Sequence, residues 1–156
     1  MAKKEKTNVQ RLLDQKKIPY ESFEYPEEIT EGVVVAKTLN QAPERVFKTL
    51  VTESDKKEHF VFVIPVAETL DLKAAARVVG VKALSMLKQK ELLPLTGYVH
   101  GGCSPIGMKK LFPTFVDESA ATFDTILFSA GRIGLMVEVA PADLLALVGA
   151  SYAPLT

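Results

Sequence analysis

VFKTLV (residues 46–51) and HFVFVIPVA (59–67), with the charged SDKKEH (54–59) running into the second, decide the fold. Side chains alternate faces along a strand, so Val46, Lys48 and Leu50 point one way while Phe47, Thr49 and Val51 point the other. Neither face is plainly the wet one. The second stretch is apolar on both faces, as a central strand requires, and the polar residues before it read as a hairpin turn. Lys48 is the exception in this apolar setting. Burying an ammonium is costly without compensation, so Lys48 either snorkels or pairs for structural reasons, or lines a cleft where a charged donor is wanted.

Outward from this hairpin, helix and strand signals alternate. Thr7 can cap a short helix with apolar Val9, Leu12 and Leu13, ending at Lys16 and Lys17, and YESFEY (20–25) alternates like a strand. Thr30 is a candidate cap for a helix through VVVAKTL that ends at Asn40. Asp71 can cap LKAAARVV, which Gly80 stops. A helix near Lys88 to Leu93 is expected to stop at Pro94, and GYVHGGCSPIG (97–107) reads as a glycine-rich strand and turn. PTFVDES, DTILFSAG and LMVEV read as strands, and Pro141 opens a helix through ADLLALV that Gly149 closes. Strands outnumber long helices and the two are interspersed. The expectation is a mixed α/β fold: a single compact domain over residues 1–156, with a curved, largely antiparallel mixed sheet flanked by helices.

The chain has 156 residues, 47% hydrophobic and 24% charged, enough to bury a core without metals or disulfides. Lys plus Arg and Asp plus Glu both number 19, so no global field recruits DNA, RNA or an anionic membrane. Any RNA partner must be held by a local patch or with another protein's help. The single cysteine, Cys103, excludes an intrachain disulfide and fits a reducing compartment. The basic N-terminus lacks an apolar stretch after it, and no window has the roughly 18 apolar residues of a membrane span. A cytoplasmic protein is expected.

Three stretches could carry chemistry. His100 and Cys103 invite a metal or nucleophile reading, yet a structural metal site takes more ligands and a thiol nucleophile needs a nearby base. Cys103 reads better as a small apolar filler, and His59 sits in the charged approach to a strand. No metal or cofactor is expected. Gly101, Gly102, Ser104 and Pro105 form a GxxxP loop whose backbone can come close to a ligand, with exposed amides able to hold a carbonyl or phosphate; an ordinary tight turn is the alternative. In FSAGRIG (128–134), Ser129 could bond a polar group and Arg132 a phosphate, or the segment could be a hairpin turn with a solvated arginine. Lys109 and Lys110 could likewise touch phosphate or form a solvated face.

Taken together, VFKTLV, GYVHGGCSPIGMKKLFPTFVD and ILFSAGRIGLMVEVAP resemble, in this order and spacing, the YbaK/EbsC family, free-standing relatives of the editing domain inserted in some prolyl-tRNA synthetases. The resemblance runs from about Thr7 to the C-terminal helix. It implies a trans-editing enzyme that hydrolyses the ester of a mischarged tRNA(Pro), typically Cys-tRNA(Pro). Lys48 matches the family lysine at the centre of the cleft and Thr49 its polar neighbour. Gly101 to Pro105 matches the loop whose backbone holds the aminoacyl group, and Tyr20 and Ser129 match residues lining the same pocket. No Ser-His-Asp set is visible, which favours a route in which the substrate cysteine's own thiol attacks its ester carbonyl while the protein positions it and stabilises charge.

One departure stands out. Where family members tend to read GLDIEL, this chain has GLMVEV, placing Met136 at an often acidic position, so the protein does without that carboxylate or Glu138 on the same strand face compensates. Two alternative functions follow. One is a deacylase for another small amino acid, such as alanine, on the same tRNA, with water attacking. The other is a non-catalytic module that binds the aminoacyl-adenosine end. A neutral surface grips tRNA weakly, so prolyl-tRNA synthetase is the expected partner in presenting it.

Overall fold

In the computed structural model, which describes residues 5–156, the first helix starts as its sequence requires. Thr7 caps α1 (Asn8–Gln15) through a reciprocal pair of bonds with Gln10, satisfying two amide donors that a helix start leaves free. Strand β1 (Glu21–Glu24) follows, then α2 (Gly32–Thr38). Here Thr30 is not the cap: Glu31 occupies that position and makes no side-chain cap bond. The quoted hairpin is β2 (Phe47–Ser54) and β3 (His59–Pro65), in register from Phe47 opposite Pro65 to Glu53 opposite His59. Its turn is closed by Ser54, whose Oγ accepts from the Lys56 and Glu58 amides. Asp71 caps α3 (Leu72–Val79) by accepting from the Ala74 amide, and Gly80, at φ 75°, ends it.

The second half holds β4 (Leu84–Met86), α4 (Gln89–Thr96), β5 (Thr114–Asp117), β6 (Ile126–Ser129), β7 (Leu135–Val139), α5 (Pro141–Val148) and β8 (Ser151–Ala153). Pro94 does not stop α4. Its missing amide forfeits one bond near the helix end, while the Gly97 amide still reaches the Leu93 carbonyl at 2.8 Å and Thr96 Oγ1 reaches the Leu92 carbonyl at 2.8 Å. The glycine-rich 97–107 segment contains turns and no strand, contrary to expectation. Strands β4 and β8 have three residues each, too few for an alternation signal.

Pairing divides the strands between two sheets: an antiparallel one ordered β1-β7-β6 and a mixed one ordered β4-β2-β3-β5-β8. They meet at an isolated bridge between Val46 and Leu127. Because β3 lies inside the larger sheet, period two sorts its side chains between cores. Val61 and Val63 join Phe47, Val51, Phe128, Val137 and α1's Val9 and Leu13, while Phe60, Phe62 and Ile64 pack with Ala75 and Ala76 of α3. Each such fully buried side chain is worth roughly 1.5–3 kcal/mol. A third cluster, Tyr25, Val35, Ala36, Val46, Val66, Leu127 and Met136, sits at the junction of the sheets.

A cleft opens at that junction. β4 pairs only with Thr52 to Ser54 of β2, and the backbone bridge to β6 falls at Val46, just before β2 begins. Between these points no strand pairs with the outer edge of Phe47 to Leu50. Loops and helix ends close around the gap instead.

Candidate functional site

The cleft is about 350 Å³, at the small end of ligand sites. Phe47, Lys48, Thr49 and Leu50 of β2 form one wall, and Ser129 and Met136 from the facing ends of β6 and β7 form another. Thr30, Glu31, Gly32 and Val35 cover it from the start of α2, and His100, Gly101 and Cys103 from the 97–107 loop. Tyr25, Val66 and Leu92 complete the lining.

Local geometry brings these elements together. A Cβ on Gly32 would fall 2.6 Å from Val66 Cγ1, so glycine lets the start of α2 press onto the end of the hairpin. Gly102 lies against the 131–134 turn, where an added Cβ would meet the Ile133 backbone nitrogen at 2.9 Å and the Arg132 carbonyl carbon at 3.0 Å. Tyr98 locks the same two segments: its hydroxyl donates to the Ile106 carbonyl, and its ring packs beside Gly131. The glycine-rich loop and the SAGRIG turn therefore form one packed unit. The Gly134 carbonyl accepts from the Tyr25 amide at 2.9 Å, tying this unit to the end of β1.

Lys48 is half-buried, makes no ion pair or hydrogen bond among the described residues, and lines the cleft. Thr49, the next residue on the strand and on its opposite face, also lines the cleft, and its Oγ1 is buried with no hydrogen-bond partner. Ser129 Oγ accepts from the Gly131 amide at 3.2 Å and keeps its own proton to donate. The amides of Gly101 and Cys103 take no part in the loop's own bonding. Burial pushes the Cys103 thiol up to about 12, so it stays protonated at neutral pH and is no nucleophile.

Of the residues singled out from the sequence, Lys48, Thr49, Gly101 and Ser129 converge on the cleft, and five do not line it. The Gly102 amide donates to the Val99 carbonyl at 3.0 Å, so it is spent on the turn and is unavailable to a ligand. Ser104 is fully buried and accepts from the Ile106 amide, while Pro105 lines a separate groove with Leu12 and Phe112. Arg132 points towards Glu24, 3.8 Å away. Tyr20 packs against the main core near Asp14, where burial and that carboxylate raise its phenol pKa, whereas Tyr25, one strand length further on, is the tyrosine in the cleft. Glu138 does not replace an acid at Met136. It bonds Thr125 and Arg45, which hold its carboxyl below the usual range against the opposing effect of burial, and Met136 is 6% exposed in an apolar wall. The sequence reading missed Glu31 and Tyr25 and set His100 aside; no local pattern marks them, because only the chain's path brings them to one cleft.

A small cleft with, among the described residues, one unpaired cation, an unpartnered hydroxyl and unengaged amides suits a short ester or amide with a carbonyl to polarise. The profile of the aminoacyl-tRNA editing domain matches residues 27–147, and the chain belongs to that family. It is 44% identical, over 100% of its length and 98% of the relative's, to the "Putative Cys-tRNA(Pro)/Cys-tRNA(Cys) deacylase EbsC" of Enterococcus faecalis. Among solved structures it is similar to "a putative trans-editing enzyme for prolyl tRNA synthetase", with TM-score 0.85 and 27% identity, covering 95% of this chain and 94% of that one. The hypothetical protein APE2540 shares the fold, with TM-score 0.86, 20% identity and coverage of 94% and 97%.

Proposed function

We propose that this protein is a trans-editing deacylase, one domain over residues 1–156, that hydrolyses cysteine wrongly esterified to tRNA(Pro). The observation that carries the reading is Lys48: an ammonium with no partner among the described residues, in a cleft beside the orphaned Thr49 hydroxyl, in a chain of the editing family. Ester cleavage passes through a tetrahedral oxyanion, and a charged donor fixed in a partly dry cleft stabilises it by about 10²-fold or more. Lys48 and the Gly101 amide supply such donors. Thr49 and Ser129 hold polar groups of the aminoacyl-adenosine end.

No side chain in the cleft is a competent nucleophile. Cys103 stays protonated, and neither histidine is paired with a serine. In this reading the attacking group is the substrate's thiol, with water as the alternative nucleophile: the thiol sulfur bonds to the ester carbon, the C–O bond to the terminal ribose breaks, and the ribose oxygen takes the proton. Water then opens the small thioester ring. The protein contributes position and charge rather than a covalent intermediate. The small volume and the apolar wall of Phe47, Val66 and Met136 favour a small side chain. With equal numbers of acidic and basic residues the chain holds tRNA weakly by itself, so prolyl-tRNA synthetase presents the substrate in the cytoplasm. Among the described residues no helix is long and apolar enough to cross a membrane.

The experiment is release of labelled amino acid from cysteinyl-, alanyl- and serinyl-tRNA(Pro), with and without synthetase. Rapid loss of cysteine alone is expected. Equal loss of alanine would replace the thiol route by attack of water, and no loss from any substrate would overturn the deacylase reading.

A further inference from the structure

The cleft carries one further charged group with no assigned task. Among the described residues Glu31 is the single acidic residue lining it. The residue is exposed at the cap position of α2; its carbonyl accepts from the Val35 amide at 2.9 Å, while its carboxylate makes no cap bond, ion pair or hydrogen bond among the described residues. Gly32 fixes the adjoining backbone against Val66, which holds residue 31 at the cleft rather than on a drifting loop. Val35, Phe47, Leu50, Val66, Leu92 and Met136 give the lining an apolar portion.

Such a cleft has a charge pattern, one cation and one anion on different elements. An aminoacyl ester has the complementary pattern, with an α-ammonium on one side of the reacting carbon and an oxygen that becomes negative on the other. Lys48 repels the ammonium and attracts the oxygen. An ammonium entering an apolar cleft loses hydration and needs an acceptor, and the hydroxyls of Thr49 and Ser129 are neutral substitutes at best. We infer that Glu31 is a substrate-positioning residue that binds the α-ammonium of the aminoacyl group, so that Glu31 and Lys48 together orient the ester carbonyl towards the donors. This rests on the deacylase reading and assigns the polarity with which the substrate enters.

The test compares cysteinyl-tRNA(Pro) with 3-mercaptopropionyl-tRNA(Pro), which keeps the thiol and the ester and lacks only the ammonium. The wild type is expected to show a kcat/KM about tenfold higher for the cysteinyl substrate, the scale of one charge-assisted hydrogen bond. Glu31→Gln, of nearly the same shape, is expected to lose about tenfold on cysteinyl-tRNA and to stay within about twofold on the mercaptopropionyl substrate. Wild-type rates that are equal on the two substrates would overturn the inference without recourse to any variant, as would a variant that loses both activities in equal proportion or neither. If the wild type releases neither acyl group, the deacylase reading itself fails and this inference falls with it.

Discussion

Replacing Lys48 by methionine separates a functional ammonium from a structural one. Methionine keeps most of the apolar stem and removes the charge, so the packing of β2 opposite Ile64 is retained. With no anionic partner among the described residues there is no ion pair to break. The change in stability is then under about 1 kcal/mol, a Tm shift of at most about 4 °C for a chain of this size. Were Lys48 instead half of a buried pair, its loss would cost about 3–5 kcal/mol and lower Tm by on the order of 10 °C. For catalysis the expectation reverses: loss of one donor to the oxyanion slows chemistry by about 10²–10³-fold. Thermal unfolding followed by circular dichroism gives the first quantity. Single-turnover release of cysteine from cysteinyl-tRNA(Pro) at saturating protein gives the second, free of product release. A Tm lowered by on the order of 10 °C with a release rate within about threefold of wild type would refute the functional assignment.

Three other substitutions probe the same architecture. Thr49→Val keeps the shape and removes the orphaned buried hydroxyl, so unfolding should show a gain of about 1 kcal/mol while kcat/KM falls by about tenfold; a lower Tm would mean the hydroxyl is satisfied in the folded protein. Gly102→Ala forces a methyl onto the Arg132–Ile133 backbone, which cannot rotate aside, and should cost about 1–3 kcal/mol in urea unfolding, with deacylation reduced as the loop and turn separate. Glu138 titrates below its ordinary value because Thr125 and Arg45 favour its charged form, so its contribution is complete above the unfolded carboxylate pKa and is lost as pH falls through the folded one. Urea unfolding across the acid range should show this slope in the wild type and a shallower one in Arg45→Met; identical slopes would refute the linkage.

The parts of the fold legible in the sequence are those governed by neighbours along the chain. Thr7, Asp71, Gly80 and Gly149 sit at helix ends as their cap chemistry requires. The charged SDKKEH turn and the two-faced HFVFVIP run produce the central hairpin for reasons of alternation alone. Thr30 and Pro94 depart from their local preferences: α2 begins after Glu31 without a side-chain cap bond, and the bonds from the Gly97 amide to Leu93 and from Thr96 Oγ1 to Leu92 carry α4 past Pro94. At the site, Lys48 was visible as a charge out of place. Tyr20 and Tyr25 bracket the same strand and look alike in sequence, but only Tyr25 is tied to the Gly134 carbonyl beside the cleft.

By itself, then, the sequence determined the order of the longer helices and strands, though not β4, β8 or the strandless 97–107 turns, together with the apolar hairpin at the centre and the anomaly of a lysine within it, because each follows from periodicity and caps over a few residues. The tertiary structure alone decided that backbone bridging to β6 is confined to Val46 and that β4 joins β2 only from Thr52, leaving the edge of Phe47 to Leu50 unpaired where the cleft opens. It also decided that Gly102 packs against the 131–134 turn outside the cleft lining, and that Glu31, seventeen and eighteen positions before Lys48 and Thr49 in the chain, shares their cavity. The physical reason is common to all three: close approach between segments distant in sequence is set by where unpaired sheet edges and buried apolar surfaces find partners, and no local pattern records that outcome.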